Sequence, residues 1–256
     1  MRDGGNSVIS KRLMMTAKMV ERYSEEINSL ADIGTDHGLL PIYLCRAGIV
    51  EKCIACDLRE GPLSRAKANI ERFGLSERIE CRLSDGLAML NSGEVSAFTI
   101  TGMGGILIRE ILKAGISEYN NIRSGDVFFL SPQSDYDLLR YFLYQQGFEI
   151  MAEDMTKESN KFYLCIVCRY TGVTHTESEL KKLQEDNPAF FEYGELLTTE
   201  KNPVFIELLG VELDKCRNIL EGMKDNEGQS LNPDLKNKMD FFERKIGIIE
   251  NILDNI

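Results

Sequence analysis

The chain has 256 residues, of which 43% are hydrophobic and 28% are charged, so it can bury a core and is not expected to be disordered. Its net charge of −11 argues against broad nucleic-acid binding but leaves room for a local basic patch. No apolar run approaches ~20 residues and the first residues contain no apolar signal core, so we expect neither a membrane span nor secretion.

Seven cysteines in a chain without an export signal predict reduced thiols and a cytoplasmic protein. Four of them form two C-x-x-C pairs, Cys53/Cys56 and Cys165/Cys168, which have the residue type of zinc ligands. The gap between the pairs is much longer than that of a zinc ribbon, and both pairs lie in apolar runs that are typical of strands. We therefore interpret them as small buried core residues and predict no metal site.

The first element is a helix, predicted over residues 8–30 because apolar side chains recur on one face at Leu13, Ala17 and Val20. Apolar runs and amphipathic segments then alternate along the chain, and each apolar run predicts a strand. The predicted strands cover residues 29–34, 52–58, 78–86, 95–105, 126–133, 148–155 and 161–170. The predicted helices between them cover residues 39–48, 61–74, 106–115 and 135–147.

Repeated strand–helix units predict a parallel sheet with helices on both faces and right-handed crossovers. The last two strands follow each other around the polar turn TKESN, residues 156–160, so they must form a hairpin. An α/β sheet of this kind that closes with a strand hairpin is the architecture of the Rossmann-like class I methyltransferases. We predict one such domain over residues 1–170.

From Thr171 the sequence becomes polar and helical. Two stretches repeat apolar residues every three or four positions, and the turn-rich segment DNEGQSLNP, residues 225–233, separates them. They predict an antiparallel helical hairpin with a coiled-coil-like seam in a second domain, residues 171–256. The predicted seam residues are Leu209, Leu213, Cys216, Leu220 and Met223 on one helix and Met239, Phe242, Ile246, Ile249 and Leu253 on the other. This domain either packs only on itself or helps to hold a substrate.

The first three predicted strands end in acidic residues, at the edge where an open parallel sheet binds its ligands. Asp32 leads into Gly34, whose missing side chain lets the backbone turn tightly beside a ligand. Asp57 ends the second strand at about the spacing, ~20 residues, of the acid that holds ribose hydroxyls in dinucleotide folds; it could equally be a helix-entry residue. Asp85 ends the third strand, where it can accept a hydrogen bond from an adenine amino group.

Together these acids describe a pocket for an adenosine that carries a second group near Gly34. A pyrophosphate fits poorly there, because Asp36 would repel it and the G-x-G-x-x-G pattern is absent. S-adenosylmethionine fits better, since it has no phosphate and its sulfonium and ammonium groups favour nearby carboxylates. The predicted cofactor-binding residues are Asp32, Gly34, Asp57, Leu58, Asp85, Gly86, Gly102 and Met103.

The segments ISKRL, ADIGTDHGLLPIYL, GPLSRAKANI, SDGL, TGMGG and NPVFIELL together resemble the bacterial tRNA adenine-N1 methyltransferases that act on adenosine 22. The resemblance runs over nearly the whole chain. It implies a Rossmann-like catalytic domain, a C-terminal coiled-coil domain, S-adenosylmethionine as methyl donor and tRNA as substrate. Two positions depart from the family pattern: Asp57 stands where Glu is common, and Ser131-Pro132-Gln133 replaces a Q-P-N sequence, which leaves the role of Gln133 open.

Asp36 and His37 stand where a nucleotide-binding loop usually has glycines. Methylation at adenine N1 gives a cation, so a carboxylate beside the base can stabilise the transition state or accept a proton from the N6 amino group. Methyltransferases that act on amino groups typically place an acid or an amide after the fourth strand, where this chain has Gly102-Met103-Gly104-Gly105. We therefore predict Asp36 as the catalytic residue, and the alternative is that it caps the following helix. His37 is as compatible with supporting the loop as with catalysis.

Basic residues concentrate near the amino terminus. Residues 1–22 carry five basic and two acidic side chains, whereas residues 171–256 carry 10 basic and 18 acidic ones. The predicted substrate-binding residues are Lys11, Arg12, His37, Pro132 and Gln133, and Lys18 and Arg22 are further candidates for phosphate contacts. Two other functions stay open, a non-catalytic module that binds RNA or a partner and a methyltransferase for a protein or small molecule. A monomer is the expected state.

Overall fold

In the computed structural model, which describes residues 9–224 and 233–256, the first part of the chain forms a seven-stranded sheet and the helices that connect its strands. The strands are β1 (Ser29–Ile33), β2 (Lys52–Asp57), β3 (Ile79–Leu83), β4 (Ala97–Thr101), β5 (Val127–Ser131), β6 (Phe148–Glu158) and β7 (Lys161–Tyr170). The helices are α1 (Lys11–Arg22), α2 (Leu39–Arg46), α3 (Glu60–Arg72), α4 (Gly105–Ser117) and α5 (Tyr136–Gln145), with a short 3-10 turn, Ser24–Glu26, after α1.

The strand order is β3-β2-β1-β4-β5-β7-β6. The first five strands pair in parallel, and β7 runs antiparallel between β5 and β6. This topology confirms the predicted Rossmann-like sheet with a strand hairpin at its end. The chain order reverses between β1 and β4, and a crevice opens beside the carboxyl ends of the strands at such a point.

The first helix is shorter than the predicted range 8–30. A hydrogen bond to the Ser10 hydroxyl caps its first turn, and the helix ends at Arg22. Ser29 and Leu30 lie in β1, as the overlapping strand prediction over residues 29–34 has them, and Leu30 is in register with both neighbouring strands. The helix prediction was therefore wrong over residues 23–30, where a 3-10 turn and then the start of β1 follow Arg22. At residues 29 and 30 the pairing in the middle of the sheet outweighs the local helical pattern.

The terminal hairpin is longer than its sequence pattern indicates. β6 continues through Glu158, and only Ser159 and Asn160 remain for the turn. Both turn residues have left-handed backbone angles, with φ of 49° and 60°. Two such residues match the twist of antiparallel strands, so the turn sets the register of β6 and β7.

The two C-x-x-C pairs lie within β2 and β7, and all four of their cysteines are buried and free. This confirms their interpretation as core residues of strands. Among the described residues no group of three or more His, Cys, Asp or Glu side chains is placed to hold a metal ion. Within the same residues no helix is both long and apolar enough to cross a membrane.

The chain divides into two compact units between Lys182 and Leu183, within α6 (Glu177–Asp186), whereas the change to a polar sequence predicts the boundary at Thr171. The connector stays with the first unit because it is hydrogen-bonded to it. The Thr171 hydroxyl donates to the carbonyl oxygen of Gly147 (2.8 Å), and the ring of His175 lies 3.1 Å from the carbonyl oxygen of Tyr144.

The second unit is helical and contains α7 (Phe190–Tyr193), α8 (Glu195–Thr199), α9 (Pro203–Lys224) and α10 (Pro233–Asn255). Two ion pairs join the long helices α9 and α10: Arg217 to Glu250 (2.7 Å) and Lys224 to Glu243 (3.3 Å). The residue number rises along α9 as it falls along α10, so the helices are antiparallel, as predicted.

The predicted seam between α9 and α10 is largely correct on α9 and partly correct on α10. The buried seam residues are Leu209, Leu213, Cys216 and Leu220 on α9 and Met239 and Ile249 on α10. Ile252 is buried in the place predicted for Leu253, because the spacing from Ile249 is three residues and not four. The predicted turn 225–233 lies outside the described residues except for Pro233, where α10 begins.

Candidate functional site

A cleft of about 630 Å³ lies at the carboxyl ends of β1, β2, β3 and β4. Its volume is within the range of small-ligand pockets, ~300–1,000 Å³. The walls come from the loop after β1, the ends of the other three strands, the start of α1 and one face of α4. All eight predicted cofactor-binding residues line it: Asp32, Gly34, Asp57, Leu58, Asp85, Gly86, Gly102 and Met103.

Of the predicted catalytic and substrate-binding residues, some lie at the cleft and others lie outside it. Four of them also line the cleft: Asp36, His37, Arg12 and Gln133. Lys11 is exposed at the start of α1 and Pro132 is buried, and both lie outside the cleft lining.

Several lining residues were missed by the sequence analysis, among them Ser10, Thr35, Ser84, Leu107 and Ile111. Leu107 and Ile111 are four positions apart on α4, and this helical spacing was a readable signal. The Ser84 hydroxyl donates to the carbonyl oxygen of Gly86 (2.9 Å) and so fixes the turn that carries Asp85. Nothing in the local sequence indicates that role.

The loop after β1 is held against β2 by its backbone. The N–H groups of Gly34 and Thr35 both donate to the carbonyl oxygen of Cys56, at 2.8 and 2.9 Å. Gly34 has a φ of 74°, and a Cβ there would collide with the methyl group of Met103 from the β4 loop. The Met103 methyl group lies at the end of a flexible side chain and can move, so the left-handed backbone is the stronger reason for glycine at this position.

Asp32 is a buried carboxylate at the end of β1, with 4% of its surface exposed. The Thr99 hydroxyl donates to its Oδ1 at 2.6 Å. Burial raises the pKa of Asp32, and this hydrogen bond opposes the rise. A cation that enters the cleft would therefore stabilise the ionised form of Asp32.

Asp57 organises the end of β2. Its Oδ1 accepts the N–H of Arg59 (2.9 Å), and its Oδ2 accepts the N–H of Asp36 (3.3 Å). Each oxygen of a carboxylate can accept about two hydrogen bonds, so the side chain retains capacity for a ligand. The same residue thus joins the first two loops and presents acceptor groups to the cleft.

Three features of the cleft fit S-adenosylmethionine. The Thr35 hydroxyl is buried and has no hydrogen-bond partner among the described residues, so it suits a polar group of a ligand. Gly34, Gly86 and Gly102 line the cleft without side chains, so a ligand can approach the backbone there. The acidic strand ends suit hydroxyl groups and positive charge and disfavour phosphate.

Asp36 does not cap α2, so the capping alternative is wrong. The residue before α2 is Gly38, and within the described structure no side chain caps this helix. The Asp36 backbone has a left-handed φ of 50°, and its carboxylate is 59% exposed at the cleft. Arg65 lies 3.5 Å from one carboxylate oxygen and His37 lies 3.6 Å from the other. These partners orient the side chain without burying its charge.

Arg12 reaches from α1 to the β4 side of the cleft. Its guanidinium carbon lies 5.7 Å from the ring centre of Tyr163, and its Nη1 would be 2.8 Å from a Cβ on Gly102. The N–H of Gln133 donates to the carbonyl oxygen of Met103 (2.9 Å), so the β4 and β5 loops meet at this side. A second ligand that approaches from this side would meet the first one beside the bare glycine backbone.

The similarity of this chain to known proteins covers all the residues that line the cleft. Residues 9–166 match the family model described as a methyltransferase domain. The tRNA (adenine(22)-N(1))-methyltransferase of Bacillus subtilis (strain 168) is 28% identical over 254 residues, which cover 96% of this chain and 98% of that relative.

Solved structures show the same similarity. A Streptococcus pneumoniae protein, provisionally assigned as a tRNA (m1A22) methyltransferase, is 33% identical with a TM-score of 0.76, over 96% of this chain and 100% of that one. A second crystal structure of that protein, in complex with S-adenosyl-L-methionine, is similar with 32% identity, a TM-score of 0.74 and the same coverage. The similarity therefore includes both units of the chain.

Proposed function

Because the chain belongs to the methyltransferase-domain family, and within it to the tRNA (m1A22) methyltransferases, we propose that it methylates N1 of an adenine in tRNA. The methyl donor is S-adenosylmethionine, the target is adenosine 22, and we expect the protein to act in the cytoplasm, where tRNA is found. One observation carries the proposal: Asp32, Asp36, Asp57 and Asp85 converge in a single cleft. A cleft with this charge favours a nucleoside that bears positive groups over one that bears phosphates.

The cleft can hold the donor along the strand ends. The free acceptor capacity of Asp57 suits the ribose hydroxyls, and exposed Asp85 suits the adenine amino group. Buried Asp32 and the unpartnered hydroxyl of Thr35 suit the cationic amino-acid end beside Gly34. The methyl group would then stand near the β4 loop, where the acceptor can approach.

Asp36 supplies the negative charge that the reaction needs. S-adenosylmethionine, when bound, provides an electrophilic methyl group: the N1 lone pair of adenine forms the new N–C bond while the C–S bond breaks and its electron pair goes to sulfur. Positive charge therefore moves onto the acceptor base. The exposed carboxylate of Asp36, oriented by Arg65 and His37, stabilises that charge or accepts a proton from the N6 amino group.

The tRNA backbone is proposed to lie along α1. Lys11, Lys18 and Arg22 are exposed, and their spacing of seven and then four residues puts them on one stripe of the helix. Arg12, which follows Lys11 in the sequence, lines the cleft. Phosphates bound along the stripe would bring a base to the cleft from the side where Arg12 and Gln133 lie.

Labelled S-adenosylmethionine and tRNA transcripts test the proposed function. One transcript carries adenosine at position 22 and its control carries guanosine there. We expect label in the first transcript only, recovered after digestion as 1-methyladenosine. Label at another nucleoside, or transfer only to a protein, would overturn the proposal, and donor binding without transfer would favour a non-catalytic RNA-binding module.

A further inference from the structure

The glycine loop after β4 leaves a space that the next loop fills. Gly102-Met103-Gly104-Gly105 contains no acid or amide. At the point where a Cβ on Gly104 would stand, the nearest atoms are the hydroxyl oxygen of Ser134 (3.1 Å) and the Oδ2 of Asp135 (3.6 Å). A carboxylate from the loop after β5 therefore stands close to where a side chain of the β4 loop would be.

Asp135 occupies the position just before α5, where an aspartate usually accepts a hydrogen bond from the first turn. In the described structure it makes no such cap. Its φ of 57° is left-handed, and its Oδ2 accepts a hydrogen bond of 2.6 Å from the Ser134 hydroxyl. The backbone thus turns the carboxylate away from α5 and towards Gly104.

The two loops are locked together around this carboxylate. The N–H of Gly105 donates to the carbonyl oxygen of Ser134 (3.0 Å), and the N–H of Gln133 donates to that of Met103 (2.9 Å). A Cβ on Gly105 would lie 2.6 Å from the carbonyl oxygen of Asp135, so a side chain there would separate the loops. Met103 and Gln133, the immediate neighbours of this junction, both line the cleft.

We propose that Asp135 is a substrate-binding residue that selects adenine by accepting a hydrogen bond from its N6 amino group. This inference rests on the proposed function. The N6 amino group is the donor next to N1 on adenine, so an acceptor beside the β4 loop would hold N1 towards the methyl group. Guanine and hypoxanthine carry an oxygen at that position, and the carboxylate would repel it.

This role in binding differs from the one proposed for Asp36, which stabilises charge or accepts a proton during methyl transfer; the N6 amino group has two hydrogens, so it can contact both carboxylates. Asp36 lies on the loop after β1, is 59% exposed and has Arg65 at 3.5 Å, so it acts on charge at the open side of the cleft. Asp135 is half-buried at the β4–β5 junction, where the neutral Ser134 hydroxyl donates a hydrogen bond to its carboxylate. The half-buried carboxylate of Asp135 would contribute one hydrogen bond to the recognition of the base.

The test compares variants on two acceptors that differ only in the amino group. Glycine suits the left-handed backbone, so Asp135→Gly removes the carboxylate without straining the turn, and Asp135→Asn retains a neutral acceptor. Each variant is assayed on tRNA with adenosine at position 22 and on tRNA with unsubstituted purine riboside there. Asp137→Asn, an exposed acid in the first turn of the same helix, is the matched control.

On adenosine tRNA we expect Asp135→Gly to lower kcat/KM by about 10-fold to 100-fold, with a smaller loss for Asp135→Asn. On purine tRNA the wild type and Asp135→Gly should have equal kcat/KM, because the group that Asp135 contacts is missing. Donor affinity of all variants and the activity of Asp137→Asn should match the wild type.

An equal loss of kcat/KM on both acceptors would show that Asp135 acts only by shaping the loop. No loss on adenosine tRNA would show that Asp135 does not contact the base. Either result overturns this inference but leaves the proposed function intact. If the wild-type protein fails to methylate adenosine tRNA, the proposed function falls and this inference falls with it. The two failures are distinguished by the wild-type reaction.

Discussion

Asp36 combines a left-handed backbone with an exposed carboxylate at the cleft. Asparagine adopts that backbone conformation as readily as aspartate, so Asp36→Asn removes the charge and leaves the loop intact. We expect turnover to fall by about 100-fold or more, on the order of 3 kcal/mol, because the charge it stabilises is complete only in the transition state and product. Single-turnover methylation, measured beside the donor and tRNA binding constants, checks this.

The binding constants of Asp36→Asn should change only a few-fold. Arg65→Gln is the control, since it removes the cation beside Asp36 but keeps the carboxylate, and its turnover should fall much less. A near wild-type rate for Asp36→Asn would end its catalytic role. A collapse of donor binding would make it a cofactor residue.

Asp57 is the acceptor expected to hold the donor ribose. Asp57→Ala should weaken S-adenosylmethionine binding by roughly 1.5–3 kcal/mol, because charge-assisted hydrogen bonds are lost. Asp57→Glu, which restores the acid common in the family, is the matched variant and should bind more tightly than Asp57→Ala. Titration calorimetry measures both, and an unchanged affinity for Asp57→Ala would remove Asp57 from the ribose.

Glu94 gives a pH-dependent contribution to stability. It forms a two-point ion pair with Arg82, with both N–O distances 2.8 Å. The hydrogen bonds from Arg82 lower the pKa of Glu94 from 4.5 to about 2. A lowered carboxyl pKa stabilises the fold above the unfolded value, and this contribution is lost as the pH falls from about 4.5 through about 2.

Glu94→Gln should therefore lower the free energy of unfolding by about 1–3 kcal/mol at pH 7, and by less at pH 3. Urea unfolding at both pH values measures the difference. Glu80→Gln removes the other, more exposed partner of Arg82 and should cost less at pH 7. Equal losses for Glu94→Gln at the two pH values would argue against the ion pair as their cause.

Apart from Arg12 on α1, the predicted residues that line the cleft are those in or next to the loop at the end of one strand. Asp32, Asp57 and Asp85 each follow an apolar run, and parallel topology alone brings such residues together. Thr35 was not predicted, because its significance depends on the absence of a hydrogen-bond partner for its hydroxyl. The proposed role of Asp135 likewise depends on the contact between the β4 and β5 loops. Such information exists only in the tertiary structure.

At the scale of elements, α1 carries the stripe of basic residues proposed to meet tRNA. The double variant Lys18→Ala/Arg22→Ala should weaken tRNA binding and reduce the slope of log Kd against log salt by slightly under one per lost contact, ~0.7–0.9. Donor affinity should not change. The matched control is Lys67→Ala/Arg72→Ala, which removes one exposed Lys and one exposed Arg from α3. A slope equal to wild type in the α1 variant would place the phosphate contacts elsewhere.

The order and type of the elements of the sheet and of the two long helices could be predicted, because each strand is an apolar run and each helix is amphipathic. The shorter helices α6, α7 and α8 were not predicted individually. The ends of elements were harder to predict. The helical pattern of polar and apolar residues continues past Arg22, yet residues from Ser29 onwards join the sheet, where β1 pairs with a strand on each side. In the helical hairpin, Leu253 was predicted at the seam but Ile252 is buried there. The sequence could not distinguish them, since spacings of three and four residues both fit a helix.

At the scale of the whole molecule, the cleft belongs to the first unit alone. Every residue that lines it falls between Ser10 and Gln133, and the described connector is hydrogen-bonded to that unit as far as His175. A fragment that ends at Asp186 keeps all of α6. We expect it to unfold cooperatively and to bind S-adenosylmethionine with the affinity of the full chain, as measured by calorimetry. Loss of donor binding in a folded fragment would contradict a cleft confined to the first unit.

The same fragment tests whether the helical unit packs only on itself or helps to hold the tRNA substrate. Residues 171–256 carry 18 acidic and 10 basic side chains, so their net charge opposes a general attraction to phosphates. If the phosphate contacts lie on α1, removal of residues 187–256 should leave the salt slope of tRNA binding unchanged. A reduced slope with donor binding intact would show instead that the helical unit contributes phosphate contacts through a local basic patch. Titrations of both proteins with one tRNA transcript over a range of salt concentrations decide between these outcomes, because each lost contact removes a fixed increment of slope whatever the total affinity.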